Sequence, residues 1–291
     1  LKIFDEVLVN ACDHTKDVAN KVKNISVTVD KKSGEIAVTN DGIGFPVVKH
    51  PEYKVYIPDL LMGYLRTSTN YDDDQKKITG GRNGFGAKLT NLFSIEFSVI
   101  TAYKNKIYKR TWYDNMSRKS DEEITACSAK EAKEIGTTIR FTPDYKRLGI
   151  KGLTDDIIAL MHRRVLDVAG TTDKKVTVHW NGEVVPVKSF EDYVNLYIGN
   201  KTETPRVYKK LNDRCDLCVA FKPDDEYRQI SVVNGIETYL GGEHVESLVG
   251  QTVRKVTAKL REKTKDLSIK PAYIKMKLWV FINITIENPT F

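Results

Sequence analysis

The chain has 291 residues, 41% of them hydrophobic, with 46 Lys and Arg against 39 Asp and Glu for a formal charge of +7. This length and apolar content support one large or two ordinary packed domains and exclude a disordered chain. No apolar run approaches the roughly 20 residues needed to cross a bilayer, and the first six residues lack a signal-peptide pattern, so a soluble intracellular protein without a membrane partner is expected.

In chain order, Ile3, Phe4, Val7, Leu8 and Ala11 mark the apolar side of a first helix, and the same spacing groups Glu6, Asn10 and Asp13 on another stripe. The chain starts inside this helix without Met, so further residues are expected upstream. Strands are predicted over 25–29 and 36–39, joined by a hairpin turn at 30–34, and the second runs into Asn40, Asp41, Gly42, Ile43 and Gly44. Pro58 opens a helix through Leu65. A polar loop covers 67–82, and Asn83, Gly84, Phe85 and Gly86 lead into a helix over 87–93. Strands follow at 96–101, 107–113 and 137–141, then a helix over 155–169 and a strand over 176–180.

The turn signal Asn181-Gly182 marks the expected domain boundary, giving domains of 1–181 and 182–291. Beyond it a helix capped by Ser189, strands at 215–221 and 229–236, a helix over 245–263 and a strand over 273–286 make an α+β pattern with a crossover helix. Cys12, Cys127, Cys215 and Cys218 are too few and scattered for a disulfide framework. Cys215 and Cys218 have zinc-like spacing but no second pair, and read as strand residues.

The charge is local. Residues 254–277 hold nine basic and two acidic side chains, which accounts for the whole net charge and makes this segment the candidate for a polyanion partner.

The glycine-rich loops carry the most information. Residues 81–88 nearly spell a Walker motif, but Ala87 separates Gly86 from Lys88, and Leu89 stands where the magnesium-binding hydroxyl belongs. The dinucleotide fingerprint fails as well, because Leu89 falls where a third glycine is required. Glycines 84 and 86 ahead of a helix can still aim backbone N–H groups at an anion, with Lys88 adding charge. Taken singly, Glu6 reads as a helix-surface carboxylate, Asn10 as a surface amide, Thr137 as a strand threonine, and Ser68, Thr69 and Asn70 as a polar turn.

Together, Glu6 and Asn10 one turn apart, Asp41 to Gly44 after a strand, Gly80 to Lys88 before a helix, and Gly136-Thr137-Thr138 resemble the ATP-binding fold shared by DNA gyrase, heat-shock chaperones, histidine kinases and mismatch-repair ATPases. Phe4-Asp5-Glu6-Val7-Leu8-Val9-Asn10-Ala11, Tyr71-Asp72-Asp73-Asp74, Thr79-Gly80-Gly81-Arg82-Asn83-Gly84-Phe85-Gly86-Ala87-Lys88 and Glu287-Asn288-Pro289-Thr290-Phe291 are similar to the eukaryotic-type DNA topoisomerase II family.

The resemblance implies an α+β fold: a two-layer ATP-binding sandwich followed by a smaller α+β transducer. It implies ATP and Mg2+ as cofactors, duplex DNA and a second copy of the chain as partners, and a nuclear location, or a host cytoplasm or virion for a viral source. Glu6 is then the general base toward a lytic water. Asn10 offers its amide oxygen to magnesium, with Asp13 orienting both. Asp41 accepts from the adenine amine, with Gly42 and Gly44 allowing close approach of the base, and Thr137 reads the base edge through water. Ser68, Thr69 and Asn70 contact ribose and phosphate. Gly81, Arg82, Asn83, Gly84, Phe85, Gly86, Ala87 and Lys88 wrap the triphosphate, and Arg261, Lys263 and Lys265 face DNA. His14 stands where relatives often carry an amide. The family's arm, its sensor lysine and its cleavage core are expected outside these 291 residues. A chaperone or mismatch-repair ATPase is the alternative within the fold, disfavoured by the Tyr-Asp-Asp-Asp segment; a catalytically silent nucleotide-sensing DNA clamp is the alternative of a different functional class, disfavoured by Glu6 and Asn10, and a DNA-only binding module is the third.

Overall fold

The computed structural model describes residues 1–64, 78–80, 85–265 and 268–290, in two compact units, Leu1–Lys188 and Ser189–Phe291. The division falls after the expected one. Asn181 and Gly182 both take positive φ and turn the chain into a hairpin whose return strand still belongs to the first unit, so the turn signal is genuine and is not a linker.

The first unit contains α1 (Lys2–Lys16), β1 (Asn24–Val29), β2 (Ile36–Asn40), α2 (Ile57–Gly63), α3 (Gly86–Leu92), β3 (Ser94–Tyr103), β4 (Lys106–Tyr113), β5 (Arg118–Lys119), β6 (Glu123–Ala126), α4 (Ala129–Ile135), β7 (Thr137–Pro143), α5 (Asp155–Thr171), β8 (Thr177–Trp180) and β9 (Glu183–Val184). Its sheet runs β5-β4-β3-β7-β2-β1-β8-β9, with β6 also on β4. All pairings are antiparallel except β1 with β8. Period-two alternation buries Ile25 and Val27 of β1, and Phe97 and Val99 of β3, beneath the helices. The apolar stripe of α1, with Phe4, Leu8 and Ala11 buried, packs on β2, α3 and α5. Burial of such side chains contributes about 1.5–3 kcal/mol each, which fixes the rotation of α1 and therefore the direction of its polar stripe.

Two buried polar clamps fasten the helices further. Arg164 of α5 donates to Asp5 Oδ1 at 2.8 Å and to Asp167 Oδ2 at 2.5 Å, holding α1 against α5 one residue before Glu6. Asp59 of α2 accepts from Arg110 and Lys119, both at 3.1 Å, which ties α2 to β4 and β5.

The second unit contains α6 (Phe190–Ile198), β10 (Arg206–Asn212), β11 (Cys215–Phe221), β12 (Arg228–Val233), β13 (Ile236–Glu237), α7 (Glu243–Thr264), α8 (Pro271–Met276) and β14 (Leu278–Ile284). Strand order is β10-β11-β14-β12-β13, and α7 is the crossover between the parallel β12 and β14. Val245, Val249 and Val253, spaced four apart on α7, pack on Leu278, Val280 and Ile282. Ser189 caps α6 by accepting from Asp192 N. Cys215 and Cys218 both lie on β11, three residues apart and so on opposite faces.

The first four residues of the predicted strand over 273–286 are helical. Pro271 sits in the first turn and opens α8, and β14 starts only at Leu278. The strand predicted over 229–236 breaks at Asn234-Gly235, both at positive φ, into β12 and β13.

Candidate nucleotide site

Four segments converge in the first unit: α1, the end of β2, the N-terminus of α3 and the start of β7. Glu6 lies on α1 with its side chain 30% exposed, and its Oε1 pairs with Lys2 Nζ at 2.9 Å. The other carboxylate oxygen abuts α3, since a Cβ at Gly86 would overlap Glu6 Oε2. Thr90 stitches the two helices together, donating to Ile3 O at 2.9 Å. Asn10, one turn on from Glu6, is exposed and bonds to no described residue, so its amide oxygen is available as a hard ligand. Asp13 accepts from Gly80 N at 2.8 Å and from Lys16 Nζ at 2.6 Å, fastening the chain just before residue 81 to α1.

Phe85 precedes the first turn of α3 and its side chain offers no cap to the N–H groups there. Ala87 lies in that turn, partly exposed, and Lys88 beside it is buried, 3% exposed. Desolvation pushes the Lys88 ammonium down to about 8. Ser68, Thr69, Asn70, Gly81, Arg82, Asn83 and Gly84 lie outside the described residues.

The base end departs from expectation. Asp41 is already engaged by the protein: Oδ1 takes Lys23 N at 2.7 Å and Asn24 N at 2.8 Å, and Oδ2 takes Asn24 Nδ2 at 2.7 Å. The carboxylate therefore braces the start of β1. Gly44 likewise serves the protein's own packing, because a Cβ there would strike Ala102 O and Thr101 Oγ1. A Cβ at Gly42 would lie 2.6 Å from Val22 and 2.9 Å from the His14 ring, so neither glycine is held open for a base.

The polar group that does sit with Thr137 is Asn40. Asn40 on β2 is the register partner of Thr137 on β7, which is in turn the partner of Thr101 on β3. Cross-strand partners share a face, so the three form one row across the sheet. Thr137 and Thr101 share a hydroxyl–hydroxyl bond of 2.9 Å, and Thr101 Oγ1 accepts from Phe45 N at 2.9 Å. Asn40 is 7% exposed; its Oδ1 meets His14 Nδ1 at 2.8 Å and accepts from Gly42 N at 3.2 Å. Gly136, at φ 50°, lets β7 begin against the Asn40 carbonyl, where no side chain fits. Asn40, Thr101 and Arg164 were missed from sequence. For Asn40 the signal was its place directly after a predicted strand; the other two act through contacts distant in the chain.

In the second unit, Lys263 and Lys265 are exposed at the end of α7. Arg261 is not a free cation: its Nε and Nη2 donate to Ile269 O at 3.0 and 2.6 Å, a clasp across the loop that follows α7. Lys275 pairs with Glu246, and Lys277 with Asp225.

These features gather on the mixed sheet of the first unit, as expected of an ATPase. The family model for histidine kinase-, DNA gyrase B- and HSP90-like ATPases matches residues 1–147, and the chain belongs to that family. A DNA gyrase B model matches residues 189–291.

Within the family the likeness is to the ATPase region of eukaryotic-type DNA topoisomerase II. The chain is 44% identical over 298 residues to DNA topoisomerase 2 of Arabidopsis thaliana, all of this chain and 20% of that protein. It is 42% identical over 298 residues to DNA topoisomerase 2-alpha of Homo sapiens, all of this chain and 19% of that one. The chain thus spans about a fifth of the length of these relatives. Among solved structures, the ATPase region of Saccharomyces cerevisiae topoisomerase II superposes with a TM-score of 0.88 at 39% identity, covering all of this chain and 74% of that one. The ATPase and transducer domains of DNA topoisomerase II from Balamuthia mandrillaris give 0.91 at 42%, covering 100% and 73%.

Proposed function

We propose that this chain is the ATP-driven gate of a type II DNA topoisomerase, in which ATP closes two copies around a duplex and hydrolysis reopens them. The observation that carries the reading is Glu6: it projects from a helix fixed by Arg164 and Thr90 and lies against the first residue of α3. A triphosphate seated at that turn would bring its terminal phosphate near this carboxylate, which takes the proton from an attacking water.

Asn40 and Thr137 receive the base, in place of Asp41, and Lys88 supplies a buried cation whose charged form a bound anion favours. Asn10 fits a magnesium ion that keeps most of its ligands as water and phosphate, since its amide oxygen sits at the exposed edge of α1 and no described residue engages it. The ion would screen the triphosphate charge; positioning and proton transfer belong to the side chains. Lys263 and Lys265 at the end of α7 are the candidate contacts to duplex DNA. No described helix is long and apolar enough to cross a membrane.

The test is ATP-dependent passage of one duplex through another by the complete protein carrying this region. Glu6→Gln is expected to stop repeated passage while ATP still binds. Undiminished passage would remove Glu6 as the base.

A further inference from the structure

We propose that Thr90 is a positioning residue for hydrolysis: its hydroxyl sets the spacing between α1 and α3 and so holds the Glu6 carboxylate in place for the lytic water; this rests on Glu6 as the base. Thr90 is fully buried, and its polar end lies inside a helix–helix contact. The hydroxyl has one proton and two acceptors within reach, Ile3 O on α1 at 2.9 Å and Gly86 O in its own helix at 3.1 Å. The second is the back-bond open to any helical threonine; the first is made across to the helix that carries Glu6.

The two helices meet at two rungs. Ile3 and Glu6 are three apart on α1, and Gly86 and Thr90 are four apart on α3, so each pair shares one face of its helix. Ile3 meets Thr90 at one rung, and Glu6 meets Gly86 at the other. The rungs are one helical turn apart, about 5.4 Å, so a change of spacing at the first is felt at the second. At the Gly86 rung the carboxylate lies directly against backbone, with no side chain between to take up the change. The hydrogen bond brings Oγ1 to 2.9 Å from the Ile3 carbonyl. A methyl carbon in its place could come no nearer than about 3.3 Å. Loss of the hydroxyl therefore pushes α1 outward one turn from the base, and a misplacement of about 1 Å in a reacting group can cost 100-fold.

The test measures steady-state ATP hydrolysis, ATP affinity and thermal melting on the complete protein carrying this region. Thr90→Val keeps the branched shape and removes the hydroxyl; Thr90→Ser keeps the hydroxyl and removes a buried methyl group. A side chain that only filled space would give turnover that follows the melting temperatures of the two variants. The positioning role requires turnover to follow the oxygen. Thr90→Val is expected to lower kcat by about tenfold with ATP affinity within about twofold, and Thr90→Ser to hold kcat within about threefold, whichever of the two melts lower. Where Thr90→Val does not fold, Thr90→Ala against Thr90→Ser makes the same comparison one oxygen apart.

Glu6→Gln is measured alone and combined with Thr90→Val. Because Thr90 acts through Glu6, the double variant should be slower than Glu6→Gln by no more than about twofold. Undiminished turnover in Glu6→Gln would strike the base assignment itself. Loss of turnover in Glu6→Gln beside full kcat in Thr90→Val, or a further loss of about tenfold in the double variant, would overturn the proposal and leave Glu6 as the base.

Discussion

Glu6 and Gly86 are in steric contact that only glycine permits: the carboxylate of one occupies the space where a side chain of the other would begin. Gly86→Ala should therefore push a flexible carboxylate aside without breaking the fold. Turnover is expected to fall by about tenfold or more while the melting temperature moves little, the helix cost at that position being about 1 kcal/mol or less. Steady-state hydrolysis beside thermal melting checks it, and parallel loss of both would mean that the contact is merely structural.

Glu6→Gln keeps the size and the hydrogen-bonding reach of the side chain and removes its basicity. General base catalysis contributes roughly 10²–10⁴-fold, and the loss should fall on kcat with ATP affinity retained. Single-turnover hydrolysis and nucleotide binding on the same preparation separate the two.

Asn40→Ala and Asp41→Ala should fail differently. The first removes a base contact and is expected to weaken ATP binding by about tenfold with a small change in melting temperature. The second strips three hydrogen bonds from the start of β1, and is expected to lower stability by about 1–3 kcal/mol, with weaker nucleotide binding only as a consequence. Calorimetry at a temperature where both variants are folded distinguishes them; a loss of affinity confined to Asp41→Ala would restore the carboxylate as the reader of the base.

Lys88 gives two pH effects of opposite sign. Burial pushes its ammonium down to about 8, below the value near 10.4 in an unfolded chain. Between those values the unfolded chain binds more protons, so nucleotide-free stability should rise with pH from about 8 to 10. ATP favours the charged amine, so affinity should fall as pH rises past about 8, with proton uptake on binding detectable in buffers of different ionisation enthalpy. Lys88→Met should remove both effects.

Lys263 and Lys265 are the cations to neutralise in a DNA-binding test. Replacing both with Gln should reduce the slope of log affinity against log salt by roughly one unit for each phosphate no longer neutralised, leaving ATP affinity unchanged. Arg261→Ala should instead release Ile269 O and loosen the segment after α7, which hydrogen exchange would report.

Much of this organisation was legible from local patterns, because each of those patterns acts over one turn of chain. The apolar stripe of α1, the proline opening α2, the Ser189 cap and the crossover helix all follow from neighbours a few residues apart. α4 was overlooked although Ser128 and Glu131 form a capping box, since it has no apolar stripe to reveal a period. α8 was hidden by Tyr273 and Ile274, which favour strands, behind the more informative Pro271. At the site, the choice of Asp41 over Asn40 followed the stronger acceptor. The row Asn40, Thr137, Thr101 depends on strand register between residues up to 97 positions apart, which no local pattern contains.

Gly136 has a consequence for how such a site can change over generations. Its backbone lies at φ 50° with the Asn40 carbonyl where a Cβ would be, so both torsion and space forbid every other amino acid. Position 136 thus has no single-step neighbour in sequence space that keeps β7 in place, and any lineage that alters the base end must do so through side chains such as His14 and Asn40, leaving the glycine untouched.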